Sequence, residues 1–516
     1  MPFTQQDAVW IAALIIVGCL VLIGFSATAQ ALVDLEPAAA PSPTRGVPLD
    51  DAWIHFQFAR NLARGDGFAF NPGHPTAGST APLWTLLLAA AYALGGPFPL
   101  AGQILSGASF LLAVVATYLL TRQLTGRRWA AWLAGGLVAI NGRMAWAGLS
   151  ALETCLFAAF TLFAISSHLR DRQRGDMRLR TAALFGLAAL ARPEGYLLFA
   201  LALADHAVAA IITAAPMSAV RSRARELVPR VAVFGALVLP YLAFSLYTSG
   251  SLLPNTFSAK AAFNFLPSLD FLGLGSRYLI LDNAVLLPFF LLGLLLLLER
   301  AQFLSAWAAG LPVVYAFLHA SLYQHGRYLI PLIPVNAVIA LYGLLEAQKL
   351  AHRRGWRWDS SHRWVGALAG AVVLIATAWR LPTMARNLAW NIDEINKMHV
   401  DLGRWVVDET PAGTVLALND IGAIAYISQR ETVDLAGLVT PEITPILRGS
   451  DRTSGLIELM AHRDVGYVVI FPTWFPDLAA RRDVLTPIHA VTLDRRTIAG
   501  GPSMVVYRAA WDNQIP

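Results

Sequence analysis

Charge is scarce in this chain. Of its 516 residues, 14% are Asp, Glu, Lys or Arg and 56% are hydrophobic. Soluble globular domains carry roughly 25% charged residues, so the composition argues against a water-soluble fold of this length. Cysteine is scarcer still. Cys19 and Cys155 are the two present, both inside apolar runs, which leaves the C-terminal region without a disulfide staple or a cysteine metal site. No Gly-rich phosphate loop, His-Glu-x-x-His or EF-hand pattern occurs. There is no internal repeat and no low-complexity stretch. Lys and Arg are missing from residues 1–9, so the apolar stretch that follows lacks the charged leader of a signal peptide, although Ala27-Thr28-Ala29 resembles a cleavage site. The expectation is an uncleaved first span.

What the chain does contain is apolar runs near the length of about 20 residues that a helix needs to cross a bilayer. Clear examples are 10–33, 102–120, 231–247 and 365–379. Backbone polar groups in lipid must be satisfied within the segment, so these runs are helices. Spans fall near 9–33, 100–121, 129–146, 151–168, 180–192, 195–214, 230–249, 284–299, 303–321, 327–348 and 363–380. The loops between these eleven alternate in basic content. One set holds 18 Arg and Lys, at 122–128, 170–180, 221–230, 300 and 349–363; the opposite set holds 8. The positive-inside rule places the richer set in the cytoplasm, with the N-terminus inside and both 34–97 and the C-terminus outside. The net charge of +6 is therefore a membrane signature and not a nucleic-acid one. The run 80–96 reads as a helix in or partly dipping into the outer interface, because a crossing there would invert every later loop.

Beyond Arg380 the pattern changes. Asn391 to Glu394 reads as an N-cap with Glu three residues on, and Ile395, Met398, Leu402 and Trp405 recur at helical spacing up to Pro411. β-prone runs at 414–418, 431–435, 466–471 and 504–508, with a helical segment at 456–463, predict a compact α/β domain. The expected organisation is a membrane module over 1–380, including a first outer loop at 34–97, and a soluble extracytoplasmic α/β domain over 381–516.

Chemistry-bearing residues crowd the outer side. Asp50 and Asp51 open a helix whose Ile54, Phe58 and Leu62 form an apolar stripe suited to an interface. Negative charge at a helix N-terminus is favoured by the dipole, so capping alone accounts for the pair. Adjacent carboxylates also raise the pKa of one of them toward the range of a general base. His55, four residues from Asp51, shares its face. Glu153 and the Arg192–Glu194 pair lie near span ends, where ionisable groups contact substrate or pair with one another. Arg327, following His325 and Gly326 at a span end, offers a fork for phosphate or an interfacial anchor; Lys260 contacts a phosphate or lipid head groups. His74 reads as a structural or solvated loop residue. Asp66 reads equally as turn chemistry or as help for a divalent ion, so a divalent metal is possible but not indicated, and no other cofactor is called for. Residues 418–438 read strand, turn, helix, strand, with Asp420 as the helix cap.

An acidic pair opening a helix, then NLARGDGFAFNPG and a Thr-Ala-Pro-Leu-Trp helix, resembles the first outer loop of GT-C glycosyltransferases, most nearly the cell-wall arabinofuranosyltransferases. Protein O-mannosyltransferases and the lipid A aminoarabinose transferase are similar more distantly. GLSALETCLF at 148–157, ARPEG at 191–195, LLPNTFSAK at 252–260 and HGRYLIPLIP at 325–334 extend the resemblance over about 45–340. It departs at 77–84, where AGSTAPLW stands in place of EGYTNFLW; this bears on the donor sugar, not on the class. The resemblance implies an inverting transfer from a polyprenyl-phosphate sugar to an acceptor hydroxyl on a glycan, lipid or protein at the outer face. Asp50 or Asp51 would be the base, Arg327, His325 and Lys260 would bind the donor phosphate, and His55, Glu153, Arg192, Glu194 and Asn255 would contact substrate. A transporter or flippase is the rival class. It would place ionisable groups at mid-membrane and show related halves.

Overall fold

The computed structural model describes residues 3–34, 46–174, 178–212, 217–252, 254, 265–318, 323–354 and 363–511. These divide into two compact units. The first comprises Met1–Thr28, Gln103–Pro240 and Ala262–Ala385; the second comprises Ala29–Gly102, Tyr241–Ala261 and Arg386–Pro516. Residues 29–102, which hydropathy alone places with the membrane module, thus group with the C-terminal residues.

The first unit is helical. Five helices among the described residues are long and apolar enough to cross a bilayer: Gln5–Ala31, Leu100–Thr125, Leu227–Ser249, Leu269–Arg300 and Leu368–Glu409. Leu179–Ala191 and Gln302–Phe317 are apolar but shorter. The protein is a multi-pass helical membrane protein, and the number of spans rests on the charge pattern. Two expected spans differ in detail. The run at 129–146 is broken after Ala139, because the Asn141 side chain accepts the N–H groups of Arg143 and Met144 at 3.0 and 3.1 Å and starts a new helix, Gly142–Gly148. The run at 284–299 begins much earlier, at Leu269, where Ser268 caps by accepting the Phe271 N–H. A short 3-10 turn, Ala284–Leu286, joins this helix to Leu287–Arg300.

Helix ends in this unit are tied by buried ion clusters. Asp7 accepts from the Tyr118 hydroxyl at 2.8 Å and pairs with Arg122 and Arg128. Asp205 accepts from Arg172 and Gln302 and meets His168 Nε2 at 2.8 Å. Buried charge is tolerated only when paired and hydrogen-bonded, and each acid here has several partners.

The second unit is built on a five-stranded sheet. Two short strands in the first loop, β1 (Ala69–Asn71) and β2 (His74–Pro75), pair antiparallel. The main sheet holds β3 (Val415–Leu418), β4 (Thr432–Asp434), β5 (Val465–Ile470), β6 (Leu485–Thr492) and β7 (Ser503–Ala509), in the order β4-β3-β5-β7-β6. β3 runs parallel to β4 and β5, while β7 is antiparallel to β5 and β6. Strand β6, buried only at Leu485, escapes the sequence pattern; the other four match the expected runs.

Side chains alternate across a strand, and both faces here are apolar. Ala417, Val468, Ile470 and Tyr507 face a cluster with Leu456, Ile457 and Met460 of helix Arg452–His462. Leu416, Leu418, Val469, Met504 and Val506 face Leu402 and Val406, and with them Ile54, Phe58 and Phe70 from the first loop. Ile54 and Phe58 of the apolar stripe of helix Asp51–Arg64 therefore face the sheet, while Leu62 is half-buried; from Ala52 to Asn61 every residue is buried. Its polar residues follow suit. Asn61 donates to the Ala69 and Phe70 carbonyls, and Arg60 donates to the Tyr426 carbonyl while stacking on that ring at 4.1 Å. Helix Pro82–Ala93, 12 residues long, spans about 18 Å at 1.5 Å per residue, short of the roughly 30 Å hydrocarbon core.

Asn391 is not an N-cap, because the helix runs unbroken over Leu381–Ile395. Its side chain donates to Thr497 Oγ1, and Glu394 accepts from Thr497 N and Oγ1 (both 2.6 Å), Ile498 N (2.9 Å) and Ala499 N (3.1 Å). Glu394 is 2% exposed. Replacing it with Gln turns an amide N–H₂ toward backbone donors and is expected to cost about 2–3 kcal/mol. Denaturant unfolding measures the loss globally, and hydrogen exchange at the amides of 497–499 measures it locally.

Candidate active site

In the second unit the acidic pair splits into two environments. Asp50 is 4% exposed, and its two carboxylate oxygens accept the N–H groups of Gly422 at 2.6 Å and Ala423 at 2.7 Å. Only glycine fits at 422, since a Cβ there would lie 2.2 Å from the Asp50 carbonyl oxygen. Asp420, expected to cap the helix Gly422–Ser428, is displaced from that role by Asp50. It meets His399 instead, with Nε2 2.8 Å from Oδ2. Burial pushes the Asp50 carboxyl up, and the charge of Asp420 pushes it further. His399 and the two N–H groups pull part of this back, leaving it at about 7 against an ordinary 3.8. Burial lowers the His399 imidazole, but Asp420 and Asp50 outweigh it and the net shift is upward.

The ligand atoms of Asp50, His399 and Asp420 lie within 4.8 Å of one another, the one grouping of metal-ligand type among the described residues. A cation would have to share Asp50 with two N–H groups whose positive ends already face it. The donor set fits a shared proton better than a metal.

Asp51, the first residue of the helix, is half-buried. On the same helix face, His55 Nδ1 lies 3.4 Å from both Thr85 Oγ1 and Ser79 Oγ, which are 3.0 Å from each other. Tyr241 donates its hydroxyl hydrogen to the Ser79 carbonyl. The 77–84 segment, where the chain departs from the arabinofuranosyltransferase pattern, is thus the segment that frames His55.

In the first unit Glu153, Arg192 and Glu194 come together. The Arg192 guanidinium reaches Glu153 Oε1 at 2.8 Å and Glu194 Oε1 at 2.6 Å, and the Tyr315 hydroxyl donates to Glu194. Arg192 also lies 5.4 Å from the Tyr328 ring, as Arg327 does at 5.5 Å. Arg327 is 7% exposed. His325 is not beside it in any helical sense. Gln324, His325 and Gly326 have φ of 59°, 57° and 64°, a left-handed turn that costs roughly 1–2 kcal/mol for each L-residue. The His325 ring stands edge-on to Trp146 at 5.1 Å. Lys260 and Asn255 lie outside the described residues.

Sequence reasoning missed His399, Arg143, Asp282 and Tyr315. Arg143 donates from Nε to the His325 carbonyl (2.8 Å) and from Nη2 to the Gly326 carbonyl (2.7 Å), while Nη1 pairs with Asp282. No spacing links 50 to 399 or 143 to 325; the one available signal was an Arg just beyond an Asn-Gly helix start.

The raised groups set a pH dependence. A group whose folded pKa exceeds its unfolded value stabilises below the unfolded pKa and loses that contribution as pH rises through the folded one. Asp50 therefore favours folding most near pH 4 and loses this up to about 7; His399 loses its share above its ordinary 6.5. Both act in the same direction. The thermal midpoint of the full chain is expected to fall as pH rises from about 5 to about 8, with the lower part of that slope absent in Asp50→Asn. A wild-type midpoint that stays level over this range would exclude the raised carboxyl.

Known proteins resemble this chain at three levels. A family model described as a domain of unknown function (DUF8728) matches residues 389–507. A curated relative, the terminal beta-(1->2)-arabinofuranosyltransferase of Mycobacterium tuberculosis (strain ATCC 25618 / H37Rv), is 32% identical over 228 residues, which is 41% of this chain and 35% of that protein. The chain thus spans about a third of the length of this curated relative. Among solved structures, ArnT from Cupriavidus metallidurans bound to undecaprenyl phosphate superposes with a TM-score of 0.61 at 15% identity, covering 98% of this chain and 99% of that one. The archaeal oligosaccharyltransferase AglB from Archaeoglobus fulgidus, in complex with an inhibitory peptide and a dolichol-phosphate, gives 0.62 at 13% identity, with 99% and 75% covered. From its first span to its last strand, this chain has the fold of the GT-C membrane glycosyltransferases.

Proposed function

We propose that the protein is an inverting glycosyltransferase that moves a sugar from a polyprenyl-phosphate carrier to an acceptor hydroxyl at the outer face of the plasma membrane. The observation that carries this is the end-to-end likeness to a structure holding undecaprenyl phosphate. The acceptor is a glycan, lipid or protein of the cell envelope, and arabinofuranose is the first donor sugar to test because of the curated relative. In this reading the N-terminus is cytoplasmic, and the first loop with the α/β domain is extracytoplasmic, following the basic-loop count.

Of the acidic pair, Asp51 is assigned the chemistry. Asp50 already spends both oxygens on Gly422 and Ala423, so it holds the start of the helix in place. The acceptor oxygen attacks the anomeric carbon and passes its proton to Asp51. The anomeric carbon–oxygen bond breaks, and its electron pair leaves on the polyprenyl phosphate. Arg327 stabilises that developing charge, worth most where water is excluded, with His325 and Lys260 as further phosphate contacts. His55, held by Ser79 and Thr85, orients the acceptor. Arg192 is neutralised by two carboxylates; with Glu153, Glu194 and Asn255 it is assigned to substrate contact.

Sugar transfer from a panel of synthetic polyprenyl-phosphate sugars by purified protein tests this. Asp51→Asn is expected to lower kcat by about 10²- to 10⁴-fold while the protein remains folded. Arg327→Ala is expected to lower it by about 10²- to 10³-fold. Asp50→Asn should show its loss first in stability. If wild type consumes no donor, yet binds lipid-linked sugar equally well with and without Asp51, the transport reading replaces this one.

A further inference from the structure

We infer that Arg143 and Asp282 are positioning residues for lipid-phosphate binding, acting through the left-handed turn at 324–326 that leads directly into Arg327. The inference rests on the reading of Arg327 as a ligand of the donor phosphate.

The turn is an unusual piece of backbone. Three successive residues have positive φ, and two of them, Gln324 and His325, are not glycine. Consecutive residues of one helical hand point their carbonyls the same way, and here a single guanidinium collects two of them, those of His325 and Gly326. The third arm of Arg143 is held by Asp282, and the plane is stacked on Tyr278 at 4.1 Å. Arg143 is 2% exposed. A Cβ on Gly326 would come within 2.6 Å of the Tyr278 ring and 2.7 Å of Arg143 Nη2, so the fork and the glycine define one packing solution.

Arg327 begins the 3-10 turn Arg327–Leu329 immediately after Gly326. Its direction is set by the three dihedral pairs before it. Lysine in place of Arg143 keeps the charge beside Asp282 but is a point donor that cannot span both carbonyls. The turn would then relax toward right-handed geometry and re-aim Arg327. A merely structural role predicts a lower melting temperature and unchanged phosphate affinity.

Titration of the full-length protein in detergent with undecaprenyl phosphate, read alongside the melting temperature, separates the two. Arg143→Lys and Asp282→Asn are expected to weaken binding by about 10- to 100-fold, the scale on which a misplaced binding group acts. Adding Gln324→Gly to Arg143→Lys should recover part of the affinity, because glycine holds positive φ without help. Folded variants that bind as tightly as wild type overturn the inference. Should Arg143→Lys fail to fold, Asp282→Asn and Gly326→Ala are judged by the same criterion. Because binding is read without sugar transfer, a wild type that shows this pattern but transfers no sugar removes the transferase reading and leaves the positioning role standing. A wild type that transfers, with variants binding normally, removes the positioning role alone.

Discussion

The carboxylate of Asp50 on the N–H groups of Gly422 and Ala423 is the contact on which the arrangement of the second unit depends. It joins residues far apart in the chain and is paid for by desolvating a charge. The cost shows in the upward shift of its pKa, and His399 offsets part of it. The same contact fixes where helix Asp51–Arg64 begins, and hence where Asp51 and His55 stand. With Ile54, Phe58 and Phe70 in the sheet's own core, the first loop is a layer of the α/β domain and not an appendage of the helices. An acid placed next to one so firmly held inherits its rigidity.

The helical unit solves a related problem with arginine. A guanidinium can stay buried when each of its planar donors finds an acceptor, and two do so here. Arg192 satisfies two glutamates, and Arg143 satisfies two carbonyls and an aspartate. The first arrangement neutralises charge among helix ends. The second holds a backbone conformation that L-residues avoid. In a medium with no water to fall back on, such clusters are costly to break, and breaking them displaces what they carry.

Membrane character, the long apolar helices, the α/β nature of the C-terminal region and four of its five strands were legible because each follows from local periodicity or composition. So was the helix start at Asp51, from the acidity of 50 and 51. The amphipathic stripe of Ile54, Phe58 and Leu62 was legible as a stripe, yet its destination was not. A membrane interface and a β-sheet face present the same apolar surface to such a helix. Likewise Asn391 and Glu394 have the spacing of a capping box, but the helix passes through them because their side chains bond residues 497–499 instead of their own backbone.

The sequence by itself determined most of the helical segments, which runs are apolar enough for lipid, and which residue types stand near helix starts and ends. These depend on neighbours a few positions apart. Only the tertiary structure decided that Asp50 accepts from Gly422 and Ala423 while Asp51 stays half-buried, that His399 stands with Asp50 and Asp420, and that Arg143 donates to the two carbonyls before Arg327. These choices rest on hydrogen bonds between residues up to 373 positions apart. Direction and distance decide such bonds, and neither is encoded in local spacing.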